Sequence, residues 1–109
     1  MATNNFKVLA ASRPAATTEA KLYGPASGKE AVGELWICNQ DTAERTYRVA
    51  LTDTDATAAN DDFIIYDKTL AQNATDTITF HLQNPNTIRI KASVASKLSF
   101  VASGNEITT

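Results

Sequence analysis

The chain has 109 residues, 43% hydrophobic and 20% charged, a globular composition for one ordinary domain that buries about 65% of its surface without metal or disulfide staples. Ten basic residues against 12 acidic leave a net charge of −2, which argues against nucleic-acid binding, since phosphate neutralisation needs clustered Lys and Arg. One Cys excludes an intramolecular disulfide, and one His excludes a His-rich or Cys/His zinc site within one chain.

The start, Met1 to Lys7, lacks the basic-then-apolar order of a signal peptide. No apolar run reaches 18 residues, so no membrane-spanning helix is expected, and synthesis in a reducing cytosol is the expectation. Phe6, Val8 and Leu9 make a brief strand. Ala10 to Thr18 is small, polar and broken by Pro14, and reads as a linker or extended arm. A frayed terminus is the bland reading and an arm packed on a neighbouring subunit the functional one. The expected organisation is therefore an N-terminal strand and arm over 1–18 and a β domain over 19–109.

From residue 19 the pattern has period two. Ala20 and Leu22 alternate with Lys21 and Tyr23, and Gly24 to Lys29 is a dense turn signal. Ala31 to Asn39 is the longest strand candidate, with Leu35, Trp36, Ile37 and Cys38 in one apolar block. Such a run predicts a central strand covered on both faces, or on one face by another subunit. Gly33 within it predicts a bulge or the close approach of another backbone. After a polar turn, Tyr47, Val49 and Leu51 point one way. Thr52 to Asp62 is a polar loop, Phe63 to Tyr66 a short strand, and Leu70 stands alone before the turn at Gln72-Asn73-Ala74.

The cleanest alternation follows. Ile78, Phe80 and Leu82 face in, and Thr77, Thr79 and His81 face out. Asn84-Pro85-Asn86 is a turn, Ile88, Ile90 and Ala92 alternate with polar residues, and Leu98, Phe100 and Ala102 do the same before an end at Gly104-Asn105. Seven or eight short strands bounded by turns, with no amphipathic helix, predict a single all-β domain, an antiparallel β-sandwich or jelly roll. Leu35, Ile37, Val49, Ile78, Phe80, Ile88, Ile90 and Phe100 are the expected core. The 18 Ala and 15 Thr suit strands with small or hydroxylated outer faces.

No residue set carries catalysis, a cofactor or a metal. Asp53, Asp55, Asp61 and Asp62 share a loop, but the Gly and distal Glu of a calcium loop are missing, so a solvated acidic loop is expected. His81 has no nucleophile motif to serve and reads as a surface or interface residue. Cys38 reads as a buried, inert thiol. Gly24, Gly28 and Lys29 superficially suggest a phosphate loop, but the glycines are too close and Glu30 follows Lys29. Arg89, Lys91 and Lys97 form a basic stripe, a solvated face by default and an electrostatic contact to an acidic subunit as the alternative. Of Trp36, Tyr47, Tyr23 and Tyr66, most are expected in the core rather than on a sugar platform. Trp36 has parity opposite to Leu35 and Ile37, which suits an interface hot spot.

The order of motifs resembles a group of small β-rich virion structural proteins of tailed phages, including phages of cyanobacteria and marine bacteria. The matching pieces run from Glu19 to Thr108: Lys21-Leu22-Tyr23, Pro25 to Lys29, Trp36-Ile37-Cys38-Asn39, Tyr47 to Ala50, Ile64 to Asp67, and Leu98-Ser99-Phe100 to Ile107. The resemblance implies a β-sandwich repeated many times in a particle, with no catalytic or metal residues to transfer. The function it implies is capsid decoration or cementing as a homo-oligomer, with the major capsid protein or another virion protein as partner. A tail, baseplate or fibre accessory protein is the alternative, and a carbohydrate-binding module a further one. No enzymatic activity, nucleic-acid partner or membrane partner is expected, and the location implied is the virion, after synthesis in the host cytoplasm.

Overall fold

A computed structural model of the chain describes residues 3–108. Alternating apolar and polar residues make eight strands: β1 (Thr3–Ser12), β2 (Ala20–Tyr23), β3 (Lys29–Asn39), β4 (Arg45–Thr52), β5 (Phe63–Leu70), β6 (Thr75–Gln83), β7 (Thr87–Ala92) and β8 (Leu98–Thr108). The helical structure among the described residues is one 3-10 turn at Asn60–Asp62. Two four-stranded antiparallel sheets form, in the orders β1-β8-β3-β6 (front) and β2-β7-β4-β5 (back). First thus pairs with last, second with seventh, third with sixth and fourth with fifth. That is a long hairpin folded over on itself, the jelly-roll arrangement of two Greek keys.

Two turns need left-handed backbone and place a glycine or an asparagine there. Gly28 has φ +78 in the turn closed by Lys29 N–H donating to the Ala26 carbonyl at 3.0 Å, and Asn73 has φ 60 in the β5–β6 turn.

The core lies between the sheets. Leu35, Ile37, Leu98 and Phe100 of the front sheet meet Tyr47, Val49, Ile88 and Ile90 of the back sheet, all fully enclosed. Tyr47 and Phe100 make an edge-on ring contact across the gap, with centroids 6.3 Å apart. Seven of the eight expected core residues are buried. Ile78 is half-buried, packed against the core on β6, an edge strand with a neighbour on one side only.

Several strands are longer than their sequence signals. β1 runs to Ser12 because β8 supplies a full ladder for it, from Thr3↔Thr108 to Ser12↔Phe100, with a bulge at Leu9. Ala10 to Thr18, expected as a linker or arm, therefore divides. Ala10 to Ser12 belong to β1, and the residues after Ser12 cross to the back sheet, tied by Ser96 N–H to the Pro14 carbonyl at 2.7 Å and by Arg13 Nε to the Ser96 carbonyl at 2.6 Å. Met1, Ala2 and Thr109 lie outside the described residues. β8 continues past Gly104-Asn105 because β1 and β3 flank it on both sides. Leu70 is not isolated; it ends β5, buried, beyond a left-handed Asp67 (φ 52). At Gly33 the register with β8 is unbroken, Gly33↔Gly104, so the glycine serves close approach and not a bulge.

Candidate interaction surfaces

Each sheet turns one face to the core and one outward, and the two outward faces differ in chemistry. On the front sheet, register aligns four rows: Phe6–Asn105–Val32–His81, Val8–Ser103–Glu34–Thr79, Ala11–Val101–Trp36–Thr77, and Ser99–Cys38–Thr75. Phe6 is 76% exposed, Val8 61%, Trp36 48% and Val32 43%. Between the last three rows, Val8, Trp36, Cys38, Thr75, Ser99 and Val101 line an open depression of about 380 Å³.

The outward face of the back sheet is charged. Arg48 lies opposite Lys91 and forks onto Asp67, with Nε to Oδ1 at 2.6 Å and Nη2 to Oδ2 at 3.0 Å. Its guanidinium sits 3.9 Å from the Tyr66 ring centroid, a cation–π stack. The hydrogen bond from Arg48 holds the Asp67 carboxyl below its usual range. Arg89 bonds Glu19 at 3.1 Å, and Lys21 bonds Asp55 at 3.0 Å.

Most of the residues singled out by the sequence are dispersed by the fold. Arg89, Lys91 and Lys97 do not form a stripe. Arg89 is neutralised by Glu19, and Lys97 lies in the β7–β8 turn. The actual neighbour of Lys91 is Arg48, from a strand 43 residues away in sequence. Asp53, Asp55 and Asp61 are exposed. Asp55 is committed to Lys21, and Asp62 accepts from the Ala59 N–H at 2.8 Å. Among the described residues no three His, Cys, Asp or Glu side chains gather as metal ligands. Gly24 and Gly28 flank a turn into β3, with Lys29 on a strand and paired with Glu106 at 3.4 Å. His81 is exposed and 3.3 Å from Glu30.

Cys38 departs from expectation. It is half-buried on the outward face of the front sheet, in the depression, because the core takes its neighbours Ile37 and Asn39. β3 is central, as its apolar block predicts, but within the chain only one of its faces is covered. Trp36 does face outward. Tyr47 is in the core, Tyr23 is half-buried and Tyr66 is exposed under Arg48.

The polar groups that close the sandwich carried no sequence signal for their cross-strand partners, because each makes a bond to a distant element. Asn39 is fully buried. Its Nδ2 donates to the carbonyls of Ala43 (3.0 Å) and Leu70 (2.9 Å), and its Oδ1 accepts from Asp41 N–H at 2.9 Å. Tyr47 Oη donates to Asp76 at 2.6 Å, and Tyr23 Oη to Glu106 at 2.8 Å. Burial first, and then the adjacent carboxylate, push both phenols well above their usual range. The same phenol hydrogen bonds hold Asp76 and Glu106 below theirs, helped by Lys68 for Asp76 and by Lys7 and Lys29 for Glu106.

No protein-family profile and no curated protein sequence matches the chain. Among solved structures, one chain in a structure of infectious bursal disease virus, Gx strain, superposes with a TM-score of 0.52 at 12% identity, over 98% of this chain and 32% of that one. A chain in a structure of the Gt strain superposes with a TM-score of 0.44 at 14% identity, over 97% of this chain and 31% of that one. This chain thus spans about a third of the length of those two, and the likeness to the Gx-strain chain is one of fold.

Proposed function

We propose that the protein is a repeated structural component of a virus particle, in its specific form a tailed-phage protein that decorates and cements the capsid through contacts with its own copies and with the shell. The observation that carries this reading is the jelly-roll strand order, an architecture used by viral capsid and lectin domains. The fold likeness to a chain of a virus structure and the order of motifs shared with tailed-phage virion proteins support it. The chemistry agrees: the single His is exposed and paired with a carboxylate, and in the polar hollow of the back sheet Arg48 and Asp67 are committed to each other. The reading is accordingly one of binding and not of catalysis.

A cement protein binds the assembled lattice and not its free subunits, so it stabilises the particle by mass action. Many weak contacts, repeated, add up. Particles prepared without the protein and heated test this. Heads that rupture at lower temperature, and are restored by added protein, support cementing. Normal heads with missing or defective tails place the protein in the tail instead. Intact particles that fail only at host attachment favour a sugar-binding role.

A further inference from the structure

The exposed large apolar side chains of the front sheet share one face. Phe6, Val8, Val32 and Trp36 are there, while on the other sheet the exposed large apolar residues are Ile64 and Tyr66, and Tyr66 is stacked under Arg48. The titratable groups in the four rows are Glu34, His81 and the Cys38 thiol. Glu30, on the same face of β3, pairs with His81. Apolar side chains, hydroxyls and an amide fill the rest. A monomer rarely leaves such a patch in water.

From this face we infer that the protein pairs with a second copy of itself, front sheet against front sheet, about a two-fold axis. The inference deepens the reading of a repeated structural unit and rests on it only for the idea that copies meet. Area supports a second copy as occupant. Four strands about 4.8 Å apart and about 11 residues long at about 3.3 Å each give a face of about 700 Å², close to the about 800 Å² per partner of a stable interface.

Shape supports it too. An isologous contact needs a projection and its receptacle on the same surface. Phe6 projects, and the depression between Val8, Trp36, Cys38 and Val101 lies about four residues, or about 13 Å, farther along the same strands. A two-fold axis that lies between the two front sheets and crosses the strands near Ser103 brings each Phe6 over the other copy's depression. Glu34 shares the Ser103 row, so the two Glu34 side chains come close to the axis, a like-charge contact that the apolar burial has to outweigh. The Thr75, Thr77 and Thr79 row flanks the contact with hydroxyls.

Analytical ultracentrifugation of the whole chain tests the inference. The wild-type protein is expected to sediment as a dimer at tens of micromolar. Phe6→Asp and Trp36→Lys should each weaken dimerisation at least tenfold with unchanged circular dichroism and melting temperature. Ile64→Lys, a matched change on the other sheet, should leave it intact. Labelling of Cys38 by a small thiol reagent gives an independent readout. It should slow several-fold as wild-type concentration rises and stay fast in Phe6→Asp. A wild-type protein that remains monomeric at several hundred micromolar overturns the inference, as does a dimer indifferent to both front-sheet changes. If that monomer still restores heat resistance to depleted particles, the structural reading stands and the face belongs to another partner.

Discussion

Gly33 and Gly104 face each other across β3 and β8, so close that neither can carry a side chain. A Cβ on Gly33 would lie 2.2 Å from the Ser103 carbonyl oxygen, and one on Gly104 2.2 Å from that of Val32. Both obstacles are backbone, so relief means moving a strand, and β8 is held by neighbours on both sides. Gly33→Ala is expected to cost about 1–3 kcal/mol, the range for overpacking. Thr69→Ala, at an exposed strand position, should stay within about 0.5 kcal/mol. Urea denaturation of both decides; equal midpoints would show that the strands part freely.

Asn39 is the polar centre of one end of the sandwich. Replacing it with Ala leaves the buried Leu70 carbonyl and the Asp41 N–H without their partner, which predicts a loss of about 2–6 kcal/mol at about 1–3 per orphaned group. Asn39→Asp should be worse at neutral pH, because its carboxylate faces two carbonyl oxygens with no donor to offer. A fully stable Asp variant in a thermal melt would contradict the hydrogen-bond assignment.

Depth along β6 sets the next expectation. Phe80 is enclosed and Ile78 is not. Phe80→Ala should cost about 3–5 kcal/mol, and Ile78→Ala less than about 2, the floor for a fully buried isoleucine. Chemical denaturation measures both, and a reversed order would place the core on the wrong part of the strand.

Acid should destabilise the fold. Asp41, Asp67, Asp76 and Glu106 all titrate below their ordinary values of 3.8 for Asp and 4.5 for Glu. A carboxyl with a depressed folded-state pKa leaves the unfolded chain holding more protons. Its stabilisation is complete above the ordinary value and is lost as pH falls through the folded one. The melting temperature should therefore be flat with respect to these four groups from pH 8 to 6 and decline below about pH 4.5. In Tyr47→Phe the loss of the 2.6 Å hydrogen bond should move the Asp76 titration upward, read by NMR. An unmoved Asp76 would assign its low pKa to Lys68 alone.

The all-β class, the inward parity of Phe80, Ile88, Ile90 and Phe100, and the turns at 24–29 and 84–86 were determined by the sequence alone. The reason is local: a pleat sends successive side chains to opposite sides, so alternation names the strand and its two faces without any partner. Alternation does not say which strands are neighbours, and that only the tertiary structure decided. β1 and β8 pair across almost the whole chain, which lengthened both strands beyond their apolar signals and carried β8 through Gly104. Lys91 met Arg48, and Arg89 met Glu19 from 70 positions away, so a basic run in sequence became two separate, partly neutralised sites. Phe6, Val8, Val32 and Trp36 come from two strands with β8 between them, and only sheet order makes them one apolar face. Parity marks a side chain as opposite to the core; which opposite sides coincide is fixed by non-local pairing, and no window of sequence contains it.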